Sequence, residues 1–181
     1  MSLPTLEDAR LFARRSFRNL AAADQLVRYR LCEYVEKSVM ATALDENLDV
    51  LRTASYLQEI GVIHSSREKA IYSLQMCERY FEESVGELDE RLKDTILNHV
   101  RTGKPRTAEA RLMRICHKYA VTHYLDYMLL KHQISSKKFE ELQLERIESY
   151  AADLRAHPRG REIGTLLHAI FYARGSVALH P

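Results

Sequence analysis

Apolar positions recur at three- and four-residue steps along most of the chain, the period of helices that bury one face. The first stripe is Leu6, Ala9, Ala13, Phe17 and Leu20, opened by Pro4 and the capping-box pattern Thr5-Leu6-Glu7-Asp8. Asp24 is placed to cap a second helix running to about Leu44, with Val27, Leu31, Tyr34, Val35 and Val39 on its buried side. A third begins at Asp45, carries Leu48, Leu51, Ala54 and Leu57, and is expected to stop at Gly61. Ser65-Ser66-Arg67-Glu68 reads as the capping box of a fourth, with Ile71, Leu74, Cys77 and Phe81, broken at Gly86. Leu88, Leu92, Ile96, His99 and Val100 mark a fifth, which ends at Arg101-Thr102-Gly103-Lys104-Pro105.

Thr107 opens the sixth and longest helix, to roughly Lys131, with Leu112, Ile115, Tyr119 and Thr122 on one face and His117 on an adjoining one. Ser135-Ser136 cap a seventh carrying Phe139, Leu142, Ile147, Tyr150 and Leu154, and Pro158 with Gly160 interrupts it. Glu162 to Ala173 reads as a short eighth, and Gly175-Ser176-Val177-Ala178-Leu179 as an apolar tail packed on the domain or on a second subunit. Six glycines and four prolines in 181 residues are a poor supply of turns for a sheet protein. The fold class is therefore all-α: a single-domain helical bundle of about seven to eight helices.

A net charge of +2 makes nucleic acid a poor partner for the chain as a whole. Apolar runs fall short of the ~18 residues of a membrane span, and the N-terminal layout is not that of a signal peptide. Cys32, Cys77 and Cys116 are widely spaced with no CxxC pair, which fits buried free thiols in a reducing cytoplasm. Arg10, Arg14 and Arg18 form an i, i+4 stripe with Arg15 beside it. It reads first as a solvated face paired with nearby glutamates, and second as a surface for an anion or an acidic partner.

Ala54-Ser55-Tyr56-Leu57-Gln58-Glu59-Ile60-Gly61 holds two adjacent polar side chains in the last turn of an apolar helix. Neighbours on a helix point about 100° apart, so one of Gln58 and Glu59 is expected inside and the other at the rim. This segment resembles the AxLLHDIG signature of HD-domain metal-dependent phosphohydrolases, with Gln58-Glu59 at the His-Asp pair. The family's first histidine falls near Tyr29, its next two match His64 and His99, and its closing aspartate falls on His117 in Leu112-Met113-Arg114-Ile115-Cys116-His117. Gly103-Lys104-Pro105-Arg106-Thr107 is also similar to a loop of small HD-domain nucleotide hydrolases. The likeness spans a core of about residues 25–131 and leaves 135–181 as a C-terminal helical extension.

The resemblance implies a helical cavity around a metal site, and the departures alter its chemistry. Glu59 keeps a carboxylate but adds a methylene, moving its oxygens by about 1.5 Å, and misplacement of ~1 Å costs on the order of a hundredfold in rate. Gln58 is a neutral amide, and His117 removes another negative charge. Two divalent ions about 3.5–4 Å apart need several bridging carboxylates, and this set offers Glu59 alone. The expectation is a divergent HD-domain protein with a degenerate metal site, binding a phosphorylated small molecule or serving as an interaction module. Tyr29 and Gln58 would line the pocket, and Arg101, Lys104 and Arg106 would meet phosphate. The alternative is an active single-metal phosphohydrolase, with Glu59, His64, His99 and His117 holding one zinc, iron, manganese or nickel ion. A third reading is a helical adaptor that binds protein or nucleic acid through the N-terminal arginine face. A homodimer formed through the C-terminal helices or tail is the expected self-association.

Overall fold

The computed structural model describes residues 2–65, 67–98, 105–130 and 135–175, with side chains described to 122 and to 170 in the last two stretches. Eight α-helices occur among the described residues: α1 (Leu6–Phe17), α2 (Ala22–Thr42), α3 (Leu48–Leu57), α4 (Lys69–Phe81), α5 (Glu90–Ile96), α6 (Ala108–Leu130), α7 (Ser136–Ala156) and α8 (Gly160–Gly175). A 3-10 helix, Ile60–Ile63, lies between α3 and α4. The all-α expectation holds. The chain divides into two compact units, Met1–Arg114 and Ile115–Pro181, with the boundary inside α6.

In the first unit α3 is the hub, packed by α1, α2, α4 and α5. Seven of its ten residues are buried, Leu51, Ala54 and Leu57 completely. Full burial of one such leucine contributes about 1.5–3 kcal/mol. The α1 stripe meets it as Ala9, Ala13 and Phe17, joined by Phe12, whose ring stacks on Tyr80 at 3.9 Å.

Several boundaries moved for identifiable reasons. Thr5 caps α1 as expected, accepting from the Asp8 N–H at 3.1 Å. Helix α2, however, starts at Ala22, so Asp24 sits in its first turn, where its charge suits the helix dipole, rather than at the cap. Helix α3 is capped by Asn47, not Asp45: the Asn47 side chain accepts from Val50 N–H, and its own N–H is held by Glu109 at 3.0 Å. Ser65 Oγ accepts from Arg67 and Glu68 N–H, a local turn that delays α4 until Lys69. Tyr34, Leu48, Ile71 and Ile147, expected inside, are exposed at 44%, 39%, 42% and 51%. Gly86 breaks the chain as expected, with φ at +70°. Beside it the N-terminal segment is pinned, as Ser2 N–H donates to Glu87 O and Ser2 O accepts from Asp89 N–H, each at 3.1 Å.

In the second unit α7 and α8 pack together. Ser135 caps α7, accepting from Lys138 N–H. Lys118 on α6 is held by the Asp153 carboxylate and by Ser149 Oγ at 2.6 Å, and Tyr119 donates to Leu167 O at 2.7 Å. Gly160 is required by close approach, since a Cβ there would lie 1.8 Å from Leu154 O. The sixth helix's expected end at Lys131 and the tail beyond residue 175 lie outside the described residues.

Candidate functional site

Helix α3 ends at Leu57, with Gln58 as its C-cap, and the backbone tightens into the 3-10 helix. Glu59 thus lies past the regular helix, and the 100° separation no longer governs it. Both side chains are inside, each residue 0% exposed, which corrects the expectation of one at the rim.

The buried Glu59 carboxylate sits between two cations. Arg28 Nη1 on α2 approaches Oε2 at 3.3 Å, and Lys69 Nζ at the start of α4 pairs with Oε1. An ionised carboxylate at this depth would cost several kcal/mol without such partners, on the order of a broken buried pair. Cys32 shares the cluster: burial pushes its thiol well above the ordinary value, Glu59 adds to that, and Lys69 and Arg28 oppose it.

Gln58 acts as a brace. Its Nε2–H donates to Met113 Sδ at 3.4 Å, and its Oε1 accepts from Asn98 Nδ2 at 2.9 Å. Its backbone carbonyl accepts from Ser73 Oγ at 3.0 Å, which in turn accepts from Gly61 N–H at 2.8 Å. Gly61 does not terminate α3; it lies inside the 3-10 helix, and a Cβ there would sit 2.0 Å from Lys69 O and 2.5 Å from Ser73 N. The missing side chain lets the first turn of α4 close against this segment, which brings Lys69 to Glu59.

Arg28, one position before Tyr29 on α2, pairs with Glu59, while the Tyr29 ring packs 5.6 Å from that of Tyr56. His64 is exposed, its ring centroid 5.4 Å from that of Tyr72. His117 is buried on α6 in the second unit. Arg106 is exposed, with its N–H held by Asp94 at 3.0 Å. His99, Arg101 and Lys104 lie outside the described residues. Among the described residues no three or more His, Cys, Asp and Glu are grouped to hold a metal ion. Glu59, the one carboxylate expected as a ligand, has both oxygens engaged by cations.

A second charged cluster joins α1, α2 and α3. Glu36 is 6% exposed and takes Arg10 Nη2 at 3.0 and 2.9 Å, Arg52 Nε at 3.0 Å and Tyr56 Oη at 2.5 Å. Burial alone would raise its pKa; the hydrogen bonds from Tyr56, Arg10 and Arg52 outweigh burial and hold the carboxyl below the ordinary glutamate value. Burial and the bond to Glu36 push the Tyr56 phenol up. The arginine stripe is largely committed inside the unit: Arg10 to Glu36, Arg14 over the Tyr29 ring at 4.6 Å, and Arg15 to Tyr80 Oη at 3.1 Å. Beside this network lies a cavity of about 310 Å³ that Tyr29 lines with Tyr56, Arg14, Glu33 and Lys37.

Arg28, Lys69 and Glu36 were absent from the sequence-based site, yet each carries a signal. Arg28 and Glu36 lie in register with Leu31, Cys32, Val35 and Val39, and Lys69 with Ser73 and Cys77, so each is a charge on a buried stripe. No protein-family model, no curated protein and no solved structure matches the chain.

Proposed function

We propose that this chain is a divergent HD-type helical module that binds a phosphorylated small molecule without metal-dependent hydrolysis. The observation that carries the reading is Glu59, fully buried, with Arg28 and Lys69 on its two oxygens. Arg28 and Lys69 bring two positive charges to the single Glu59 carboxylate. A divalent ion ~5 Å from each cation would be repelled by roughly 7 kcal/mol per cation at an effective dielectric of ~20. Its attraction to the single carboxylate at ~3 Å is roughly 11 kcal/mol on the same scale, so the pair of cations cancels the gain. A phosphate meets the opposite balance. Arginine offers a fork of five N–H groups and lysine three rotatable donors, and the Arg28 and Lys69 side chains are 26% and 17% exposed.

The adaptor reading is less well supported, because Arg10, Arg14 and Arg15 already have partners within their own unit. The test is equilibrium binding of a panel of nucleotides and sugar phosphates, with phosphate release measured alongside in the presence of divalent metals. Saturable binding that weakens at least tenfold in Arg28→Gln, with no metal-stimulated release, is the expected result. Metal-dependent phosphate release that disappears in His99→Ala would overturn it in favour of a single-metal hydrolase.

A further inference from the structure

We propose that the cavity between α1 and α2 is a binding site for a small zwitterion of the α-amino acid class. Its carboxylate would rest on Arg14 and Lys37, and its ammonium on Glu33. This site is separate from the cluster around Glu59 and does not depend on the phosphate reading.

Two kinds of charge line the cavity. Arg10 and Glu36 are spent on each other and on Arg52 and Tyr56. Arg14, Glu33, Lys37 and Glu7 line the same space, and among the described residues none of their side chains makes an ion pair or a hydrogen bond. Glu33 and Lys37 stand at i, i+4 in the orientation that favours a helical ion pair, yet they do not pair. Each helix thus brings both signs of charge to one cavity, Glu7 and Arg14 from α1 and Glu33 and Lys37 from α2. A simple anion drawn to Arg14 and Lys37 would meet Glu33 and Glu7, and a simple amine would meet the reverse. A molecule with both charges, separated by a few bonds, satisfies the two sets together.

Arg14 is also positioned in advance. Its guanidinium lies over the Tyr29 ring with the carbon 4.6 Å from the centroid, a contact that restrains the side chain and lowers the ordering cost of binding a carboxylate. A volume of about 310 Å³ is at the small end of ligand pockets, the right scale for an amino acid and too small for a dinucleotide.

The experiment titrates a panel of α-amino acids into the full chain by calorimetry, with acetate, methylamine and inorganic phosphate as single-charge probes. At least one amino acid should bind saturably and be displaced by none of the three probes. Arg14→Gln and Glu33→Gln should each weaken it at least tenfold, while Arg18→Gln, outside the cavity, leaves it within twofold. Circular dichroism checks that each variant is folded, and Lys37→Gln serves as a further variant should one of the first two not be. Absence of any binding amino acid, displacement by a single-charge probe, or wild-type affinity in the folded variants would overturn the proposal.

Discussion

Replacing Glu59 with glutamine removes one negative charge and leaves a nearly isosteric side chain between Arg28 and Lys69. Each ion pair at about 4 Å is worth roughly 4 kcal/mol at an effective dielectric of ~20, and the desolvation cost of the carboxylate, several kcal/mol, is recovered in the variant. What remains is two partly buried cations that have lost the carboxylate between them, and breaking buried pairs in this way costs about 3–5 kcal/mol. That is a large part of the ~5–15 kcal/mol that holds an ordinary domain together. Urea unfolding followed by far-ultraviolet circular dichroism would read it as a midpoint lowered by about 1.5–2.5 M, taking a slope of ~2 kcal/mol/M. A companion variant sharpens the test: Arg28→Met, Glu59→Leu and Lys69→Met together replace the whole cluster with apolar side chains of similar volume. Removal of every member of a buried ionic cluster is often neutral, so the triple variant should recover to within about 1 kcal/mol of wild type while losing phosphate binding. A Glu59→Gln loss under about 1 kcal/mol, or a triple variant no better than the single one, would refute the argument that these two cations compensate Glu59.

Three other outcomes follow from the geometry. Because Glu36 is held below the ordinary glutamate value, its stabilising share is fully present above the unfolded-state pKa and is lost as pH falls through the folded one. Glu36→Gln should therefore be clearly less stable than wild type at pH 7, and the gap should close in the acid range below the usual glutamate value, measured by urea midpoints across pH. Gly61→Ala should destabilise by about 1–3 kcal/mol or more, because the new Cβ meets the backbone of Lys69 and Ser73. Gly86→Ala meets nothing within 4 Å and should cost only the left-handed strain of about 1–2 kcal/mol; thermal unfolding of the pair separates crowding from strain. Burial, with a smaller push from Cys116, raises the Tyr150 phenol to about 12, so its stabilising share persists below the unfolded tyrosine value and fades as pH climbs towards 12. Tyr150→Phe should flatten that alkaline limb.

The helical stripes were legible because one physical quantity, the period of apolar positions, sets both the pattern and the packing. Ala9, Ala13 and Phe17 on α1, and Leu51, Ala54 and Leu57 on α3, landed where that period puts them. The misplaced residues sit where side-chain hydrogen bonds override periodicity. Asn47 and Ser65 move helix starts by capping or by competing with the helix, and an alternation of polar letters does not reveal which neighbour wins. Tyr34 and Ile71 are exposed because their helices carry apolar residues over more than one face while only one is covered within the unit. The site was less legible still. Matching Gln58-Glu59 to a family pattern located the buried turn, but it did not name Arg28 and Lys69, which pair with Glu59.

A charge in register with an apolar stripe gives a more direct route to such a site. Helix α2 places Arg28 and Glu36 on the side that buries Leu31, Cys32, Val35 and Val39. Burying an ionised group without a partner is costly enough that each such position implies an opposite charge elsewhere in the core. In this chain Arg28 implies Glu59, and Glu36 implies Arg10 and Arg52. Lys69 on the Ser73–Cys77 stripe of α4 requires a carboxylate by the same reasoning, and Gly61 is what permits the approach. A side chain at Gly61 would push back the first turn of α4 that carries Lys69, and Glu59 would then lose Lys69 while keeping Arg28. The glycine and the second cation thus form one device, and the Gly61→Ala variant should weaken phosphate binding along with stability, whereas Gly86→Ala should lower stability alone.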